Sequence, residues 1–564
     1  MSVNNIKDVK TVDSENFDYL LAESNFRIES VFRSRNKAVI EPNVPVISSL
    51  KAPDNTSVAD FDKFIYPNPS ETKSGASFTF IMDATDYQLY DLRDAEFDIQ
   101  AQYVYSTIGK DATSSATIFS PPRFGNQCML SLFQNIELFI DGISVQRNNF
   151  PGFSSNAEYA LRYPHCKTLE KDFEINGFIT SDALDTTAAN YKFYNASITY
   201  TQMVYSTADS DSKYHYIATG IITQRVKLSD IFSVVETLPP LYNHKVEIRF
   251  QRGSHNKLIC NTGMDGVDAI FRGFSKFKLF QDIYNTTDQF IATAQKYYSK
   301  PIETLITQDK QLLVPIITEP AAATTQSFNL NVDAAYKNKL LTLAIPRTTD
   351  FSKQVQTTAA NVNNMGTATH YDIYRAPANS YTFGGLRYLT VQTANGLKLY
   401  EFDMENDGLI ELPVGMFVPA ATNIQANIGD STSVRLQNYQ DVYRQYCKAR
   451  LHFQQSEDEA LDYDSFLKEY CIFCVDLSCF DLSPNENIKI TMAFGSWGEQ
   501  TSTKKYNPFY ANNDSSDTTY KYMSSSIICN LFCDKVLRLL PNRQIQLADL
   551  ITTNTVEVEN SNMA

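Results

Sequence analysis

The stretch GNQCMLSLFQNIELFIDGISVQRNNFPGFSSNAEYALRYP, residues 125–164, sets out the grammar of the whole chain. SLFQNIELFI (131–140) alternates apolar and polar side chains with a period of two, the signature of a strand with one buried face. Asp141-Gly142 then supplies a hairpin turn, where glycine takes a positive φ at no steric cost. Pro151 and Ser154-Ser155 follow as punctuation, and NAEYALRY (156–163) reads as a short helix capped by those serines. Strand, turn and short helix recur on both sides of this stretch.

Upstream and downstream, the clearest strands of the first half are SFTFIMD (77–83), AEFDIQAQYVYS (95–106) and HKVEIRFQR (244–252). The second half repeats the character in SFNLNV (327–332), KLLTLAIP (339–346), LRYLTVQ (386–392), LKLYEF (397–402) and NIKITMAF (487–494). Asn395-Gly396 and Asp407-Gly408 are further hairpin signals. Helical patterns are few. SDIFSVVET (229–237) is stopped by Pro239-Pro240, and LQNYQDVYRQYCKARLHF (436–453) aligns Tyr439, Val442, Tyr446 and Leu451 on one side. Strands never alternate with long helices, which excludes a parallel βαβ sheet. The expected fold class is all-β, with short helices inserted in loops.

Composition agrees. The chain has 564 residues, 33 Tyr, 36 Phe and a single Trp, and Tyr and Phe favour half-buried pleated surfaces. Its length exceeds what one hydrophobic core supports. The best seam lies at 285–325, between two strand-rich halves. This gives expected boundaries of a flexible arm at 1–17, domains at 18–290 and 291–550, and a flexible tail at 551–564.

Charge and reactive residues narrow the function. Acidic residues outnumber basic ones, 64 to 49, for a net charge of −15, and the basic residues before Lys37 are cancelled by nearby acids. No basic arm for coating nucleic acid is present. The start, MSVNNIKDVK, lacks a signal-peptide core and no window suits a membrane span, so the expectation is a soluble chain made in the cytosol. The nine Cys read as reduced thiols, those of CIFCVDLSCF (Cys471, Cys474, Cys479) as buried packing in a strand. Asn55, Asn195, Asn285 and Asn513 match glycosylation sequons by chance on that reading. The six His show no metal spacing, and no phosphate loop or nucleophile elbow occurs. Cys166 beside His165 reads as two neighbours whose side chains point apart. DMENDGLIEL (403–412) lacks the final acid of a calcium loop and reads as a turn. No catalytic residue, cofactor or metal is expected, although a spatial carboxylate pair for glycoside hydrolysis cannot be selected from sequence.

One resemblance is more specific than composition. Residues 125–164 resemble double jelly-roll major capsid proteins of the polinton, adintovirus and virophage type, in the adenovirus–tectivirus lineage. The matching parts are Met129-Leu130-Ser131-Leu132-Phe133, Ile140-Asp141-Gly142, and Asn149-Phe150-Pro151 leading into Glu158–Tyr163. Met129-Leu130 lacks the family's frequent His, and Asp141 stands where Asn is common. LPPLYNHKVEIRFQR (238–252) resembles the closing strand of a first roll. CIFCVDLSCFDLSPNENIKITMAFGS (471–496), with Asp476-Leu477, resembles a segment of the second. NLFCDKVLRLLPNRQI (530–545), with Arg543, resembles the last strand and its turn.

The resemblance implies two tandem eight-stranded jelly rolls and a major capsid protein. Three copies would close into a pseudo-hexameric homotrimeric capsomer tiling the icosahedral shell of a double-stranded DNA virus. Implied partners are further copies, neighbouring capsomers, penton and other minor capsid proteins, with an inner membrane contact left open and no sequence-specific nucleic acid binding. The implied location is the virion. Ser131, Leu132, Phe133, Asp141, Gly142, Phe150, Pro151, Asp476, Leu477 and Arg543 are then structural motif positions, and Phe133, Ile136, Leu138 and Ile140 core residues. Trp497 reads as a loop anchor within one chain, with a subunit contact as its other reading. The competing function is a jelly-roll carbohydrate-binding protein or glycosidase, against which the single Trp counts because sugar-stacking clefts favour that residue. A single jelly-roll spike or fibre fits two comparable halves poorly.

Overall fold

The computed structural model describes residues 32–40, 77–83, 88–106, 123–124, 129–149, 151–163, 197–206, 212–253, 260–261, 269–286, 302–315, 324–331, 337–344, 386–403, 409–413, 433–437, 440–453, 460–463, 466, 472–480, 482, 487–494, 526–540 and 544–548. Expectations for Phe150, Arg543, Trp497, Tyr439, the Asp407-Gly408 turn and both termini lie outside these residues.

In chain order the first half supplies β1 (Phe32–Ile40), β2 (Ser77–Asp83), β3 (Gln88–Tyr90), β4 (Glu96–Ser106), β5 (Arg123–Phe124), β6 (Phe133–Ile140) and β7 (Ile143–Asn149). Helix α1 (Pro151–Arg162) follows, then β8 (Ser197–Ser206) and β9 (Ser212–Lys227). Two single-turn helices, α2 (Leu228–Ile231) and α3 (Val234–Thr237), precede β10 (Leu241–Tyr242), β11 (Lys245–Arg252), β12 (Cys260–Asn261) and β13 (Ala269–Thr286). The second half opens with β14 (Ile302–Pro315), β15 (Thr324–Asn331), β16 (Lys337–Ala344), β17 (Leu386–Thr393), β18 (Lys398–Asp403), β19 (Leu409–Pro413) and β20 (Ser433–Gln437). Helix α4 (Gln440–Arg450), β21 (Ile472–Asp476), β22 (Asn487–Phe494), β23 (Ser526–Leu540) and β24 (Gln544–Ala548) complete it.

Two large sheets form in each half, beside the small pairs β5–β12 and β19–β20, and the large sheets repeat one topology. In the first half β13 lies between β1 and β4, with β9 beyond β4, while the facing sheet runs β2-β11-β6-β7. In the second half the sheets run β14-β23-β16-β21 and β15-β22-β17-β18. Taking the eight principal strands of each half in sequence order, both read first-eighth-third-sixth and second-seventh-fourth-fifth, all antiparallel. That order is the jelly roll. The chain is all-β with a few short helices, two jelly rolls in tandem. The long β8–β9 hairpin extends the first roll beyond this plan.

The period-two segments form their strands because alternate residues bury. Along β11 Val246, Ile248 and Phe250 face inward, and Lys245, Arg249 and Gln251 are exposed. Between the first roll's sheets stands a column of phenylalanines. Phe80 of β2 meets Phe97 of β4 at 5.1 Å and Phe277 of β13 at 4.9 Å. Phe250 meets Phe97 at 4.9 Å and Phe133 at 5.0 Å, mostly edge to face, the geometry ring quadrupoles favour. The second roll is filled differently, with Leu341, Leu389, Val391, Ile488, Ile490, Met492, Leu531 and buried Cys474, Cys529 and Cys533. Burial pushes the Cys529 and Cys533 thiols up to about 12 and Cys474 up as well, so these are packing groups.

Several details depart from the sequence reading. Leu130–Leu132 form a 3-10 turn, so the strand expected from residue 131 begins at Phe133. The helix expected at 156–163 starts at Pro151, because proline suits the first helical position, where no backbone N–H is needed. SDIFSVVET divides into α2 and α3. Leu451 does not share the buried side with Val442 and Tyr446. It lies in the 3-10 turn after α4 and is 56% exposed. The seam region 285–325 contains β14, a long strand of the second roll. Truncating Phe80 to Ala empties the centre of the aromatic column and is expected to cost about 3–5 kcal/mol in denaturant unfolding, with Phe80→Leu costing about 1–2 kcal/mol.

Candidate functional site: the junction between the rolls

Each roll inserts a helix between its fifth and sixth principal strands, α1 in the first and α4 in the second. The sequence places α1 tightly. A Cβ added at Gly152 would stand 2.5 Å from the backbone nitrogen of Ser131 and 2.6 Å from its Cα, so the first turn of the helix rests directly on the Leu130–Leu132 turn. Ser154 donates to Asn148 Oδ1 at 2.7 Å, and Asn148 donates to the carbonyl of Ile231 at 2.8 Å. Ser131, Leu132, Phe133 and Pro151 therefore gather at the base of α1.

The other motif positions lie elsewhere. Asp141 and Gly142 close the β6–β7 hairpin with φ values of 50° and 81°. Asp141 also reaches beyond its own turn. Its carboxylate sits 2.6 Å from the Nδ1 of buried His244 and accepts the Lys245 backbone N–H at 2.8 Å, tying the turn to β11. Asp476 ends β21. Partial burial opposes its ionisation, but two hydrogen bonds from Ser478 and the nearby His452 hold its carboxyl below the usual range. Leu477 is buried and donates its N–H to the Lys339 carbonyl at 2.8 Å.

Between the rolls lies a set of polar contacts, some of them buried, beside a shared apolar cluster. Strand β14 of the second roll runs beside edge strand β7 of the first. Gln308 donates to the Val145 carbonyl, and the Asn149 N–H donates to Gln311 Oε1 at 2.8 Å. Two glutamine side chains thus stand in for a neighbouring strand and blunt that edge. The Thr307 N–H donates to Thr237 Oγ1 at 2.9 Å, and Ser233 donates to Asp309 Oδ1 at 2.9 Å.

Helix meets helix at the same place. Tyr446 of α4 donates to the Ala160 carbonyl at 2.8 Å, and Arg450 donates to the carbonyls of Ala160 at 2.6 Å and Tyr163 at 2.9 Å. The carbonyls of Ala160 and Tyr163, at the C-terminal end of α1, are thus capped by a cation from the other roll. Arg450 is fully buried. From α1, Glu158 accepts from Asn530 of β23 at 2.9 Å and lies 3.0 Å from Arg162.

Glu158, Asp230 and Asp309 are all buried around Arg162. Burial is the dominant influence on each carboxyl and outweighs the attraction of Arg162. It pushes Glu158 up to about 8 and Asp230 to about 7, and raises Asp309. Desolvation works against the Arg162 charge, yet the surrounding acids hold its pKa above the ordinary value. Sequence reasoning missed this cluster, because its members come from α1, α2 and β14 and share no spacing. Also missed was Arg252, buried over the Phe271 ring at 4.3 Å and pushed down to about 10 by burial. Among the described residues no group of three or more His, Cys, Asp or Glu could hold a metal ion.

Two outcomes check the junction. Gly152→Ala should destabilise the chain by about 1–3 kcal/mol through overpacking against the Ser131 backbone. Arg450→Met should cost about 2–3 kcal/mol in denaturant unfolding by leaving α1 carbonyls uncapped, with proteolysis appearing first near 440–463.

No family model matches the chain, and no curated protein matches it. Solved structures do resemble it. A chain of the Sputnik virophage structure aligns with a TM-score of 0.49 at 11% identity, covering 93% of this chain and 90% of that one. The PBCV-1 virus capsid model aligns at 0.45 and 13% identity, covering 93% and 98%, and the mavirus major capsid protein at 0.40 and 8%, covering 91% and 90%. The strand order within the chain itself establishes the architecture: this is a tandem double jelly roll.

Proposed function

We propose that the chain is a major capsid protein whose three copies close into a pseudo-hexameric capsomer of an icosahedral shell. The observation that carries this reading is the repetition of one eight-stranded topology, with a helix inserted at the same point of each copy and the two helices in contact. A chain bearing two similar, rigidly joined rolls presents six similar bodies when three copies associate around a threefold axis. The resemblance of residues 125–164 to double jelly-roll capsid proteins supports the same reading. On it, the rolls occupy 18–290 and 291–550, the arms at 1–17 and 551–564 lie outside them, and the ten motif positions are structural.

The net charge of −15 suits a shell that leaves contact with the genome to other components. Penton and minor capsid proteins, and in some particles an internal membrane, are the partners this reading implies. The virion is the location, with synthesis in the host cytoplasm. Catalysis has no part in it. Light scattering on the purified chain should give a mass three times 63.8 kDa at moderate salt. A monomer at every concentration, or sugar binding or hydrolysis in a glycan screen, would contradict the proposal.

A further inference from the structure

We propose that the carboxyl cluster between the rolls is a proton-held latch: protonated, it lets the two rolls hold as one body, and its ionisation loosens the junction where Glu158 meets Asn530 and Ser233 meets Asp309. This inference concerns the single chain and does not depend on the capsid reading.

The geometry comes first. Glu158 stands on α1, Asp230 on α2 and Asp309 on β14, so the acids belong to three elements and to both rolls. All three are nearly fully buried: Glu158 is 6% exposed, Asp230 5% and Asp309 5%. Arg162, itself 7% exposed, is the cation whose field reaches all of them. One guanidinium balances one carboxylate. With all three acids ionised, the site would hold two uncompensated negative charges away from water, which costs several kcal/mol per charge.

Other charged groups facing the cluster do not supply the balance. Glu236 of α3 adds negative potential to Glu158, Asp230 and Arg162, and Glu96 of β4 adds it to Asp230. Arg450 of α4 directs its donors at the α1 carbonyls. On β23, Asp534 is engaged by Lys339 at 2.7 Å, and Asn530, which donates to Glu158, is neutral. Glu137 of β6 bonds Ser144 on the outer face, and Arg147 of β7 is exposed. The Leu130–Leu132 turn beneath α1 carries no charge. Arg225 of β9 is paired with Glu96 at 3.3 Å and Arg93 with Asp91, Lys227 is exposed, and Lys310 follows Asp309 on β14, where neighbouring side chains take opposite faces. The groups that donate to the acids besides Arg162 are neutral: the Lys227 N–H, Ser233, Gln311 and Asn530. Protonation is the remaining way to offset the surplus.

The sign follows from the raised values. An acid whose pKa is higher folded than unfolded contributes stability that is complete below the unfolded value and lost as pH rises through the folded one. For Glu158 and Asp230 that window runs from ordinary carboxylate values near 4 up to about 8 and about 7. The latch is closed in mild acid and opens in mild alkali, across a range in which few other carboxylates titrate.

Hydrogen exchange of the full chain, corrected for intrinsic rates, at about pH 6 and about pH 8.5 tests this. Peptides spanning 151–163, 302–315 and 440–453 should lose at least tenfold protection at the higher pH, while β2 and β11 keep theirs. Glu158→Gln, a permanent mimic of the protonated acid, should keep junction protection within about threefold across the same range. Asp230→Asn, which leaves α1 unaltered, should reduce the loss in the same direction and gives the reading if Glu158→Gln does not fold. Equal junction protection at both pH values in the unaltered chain, or an undiminished alkaline loss in the folded variants, overturns the proposal.

Discussion

Arg450 reaching out of one jelly roll to cap the last carbonyls of α1 in the other is the interaction on which the shape of the molecule depends. Each roll satisfies its own strands: β13 is paired along both sides in the first, and β23 in the second. Each also covers its own apolar faces, with phenylalanines in one case and aliphatic side chains in the other. The buried apolar side chains of the two rolls also run into one continuous cluster. What fixes the rolls in one register is a set of polar contacts made at the C-terminal end of α1, along the edge strand β7 and at the acids of α1 and β14.

Such a junction is specific in a way an apolar one is not. A hydrophobic seam tolerates sliding, because its energy follows area. Bonds between the side chains of Gln308, Gln311, Thr237, Tyr446 and Arg450 and fixed backbone groups have one register, and burial of several of them makes an error costly. Two rolls held this way present their outer surfaces at a constant angle, which repeated association of identical chains demands. The polar character also leaves the junction responsive to pH, since buried acids outnumber the cation among them.

Much of the fold was readable because strands announce themselves by period. β2 and β22 were read to the residue, and the Asp141-Gly142 and Asn395-Gly396 turns lie where glycine's positive φ is needed. Burial of Cys474 followed from its apolar strand, but Cys479 of the same run, expected to be buried with it, is exposed in the turn after β21, and Cys471 lies outside the described residues. The start of α1 was misplaced by the serines at 154–155, which suggest a cap but lie within the helix, while Pro151 opens it. Residue 131 belongs to a turn because its backbone is where Gly152 must pass. The junction itself was unreadable. Glu158 and Asn530 are separated by most of the chain, and no local pattern reports a pairing that only the relative position of two domains creates. No local pattern marks Arg252 or Arg450 as buried either.

The central claim is that two equivalent rolls, fixed to each other, give three associated chains a six-lobed outline. Class averages of the purified chain in negative stain test it most directly. The account predicts compact particles with threefold symmetry and six lobes in projection, two from each chain. Separate two-lobed particles with a variable angle between lobes would contradict both the association and the rigid junction beneath it.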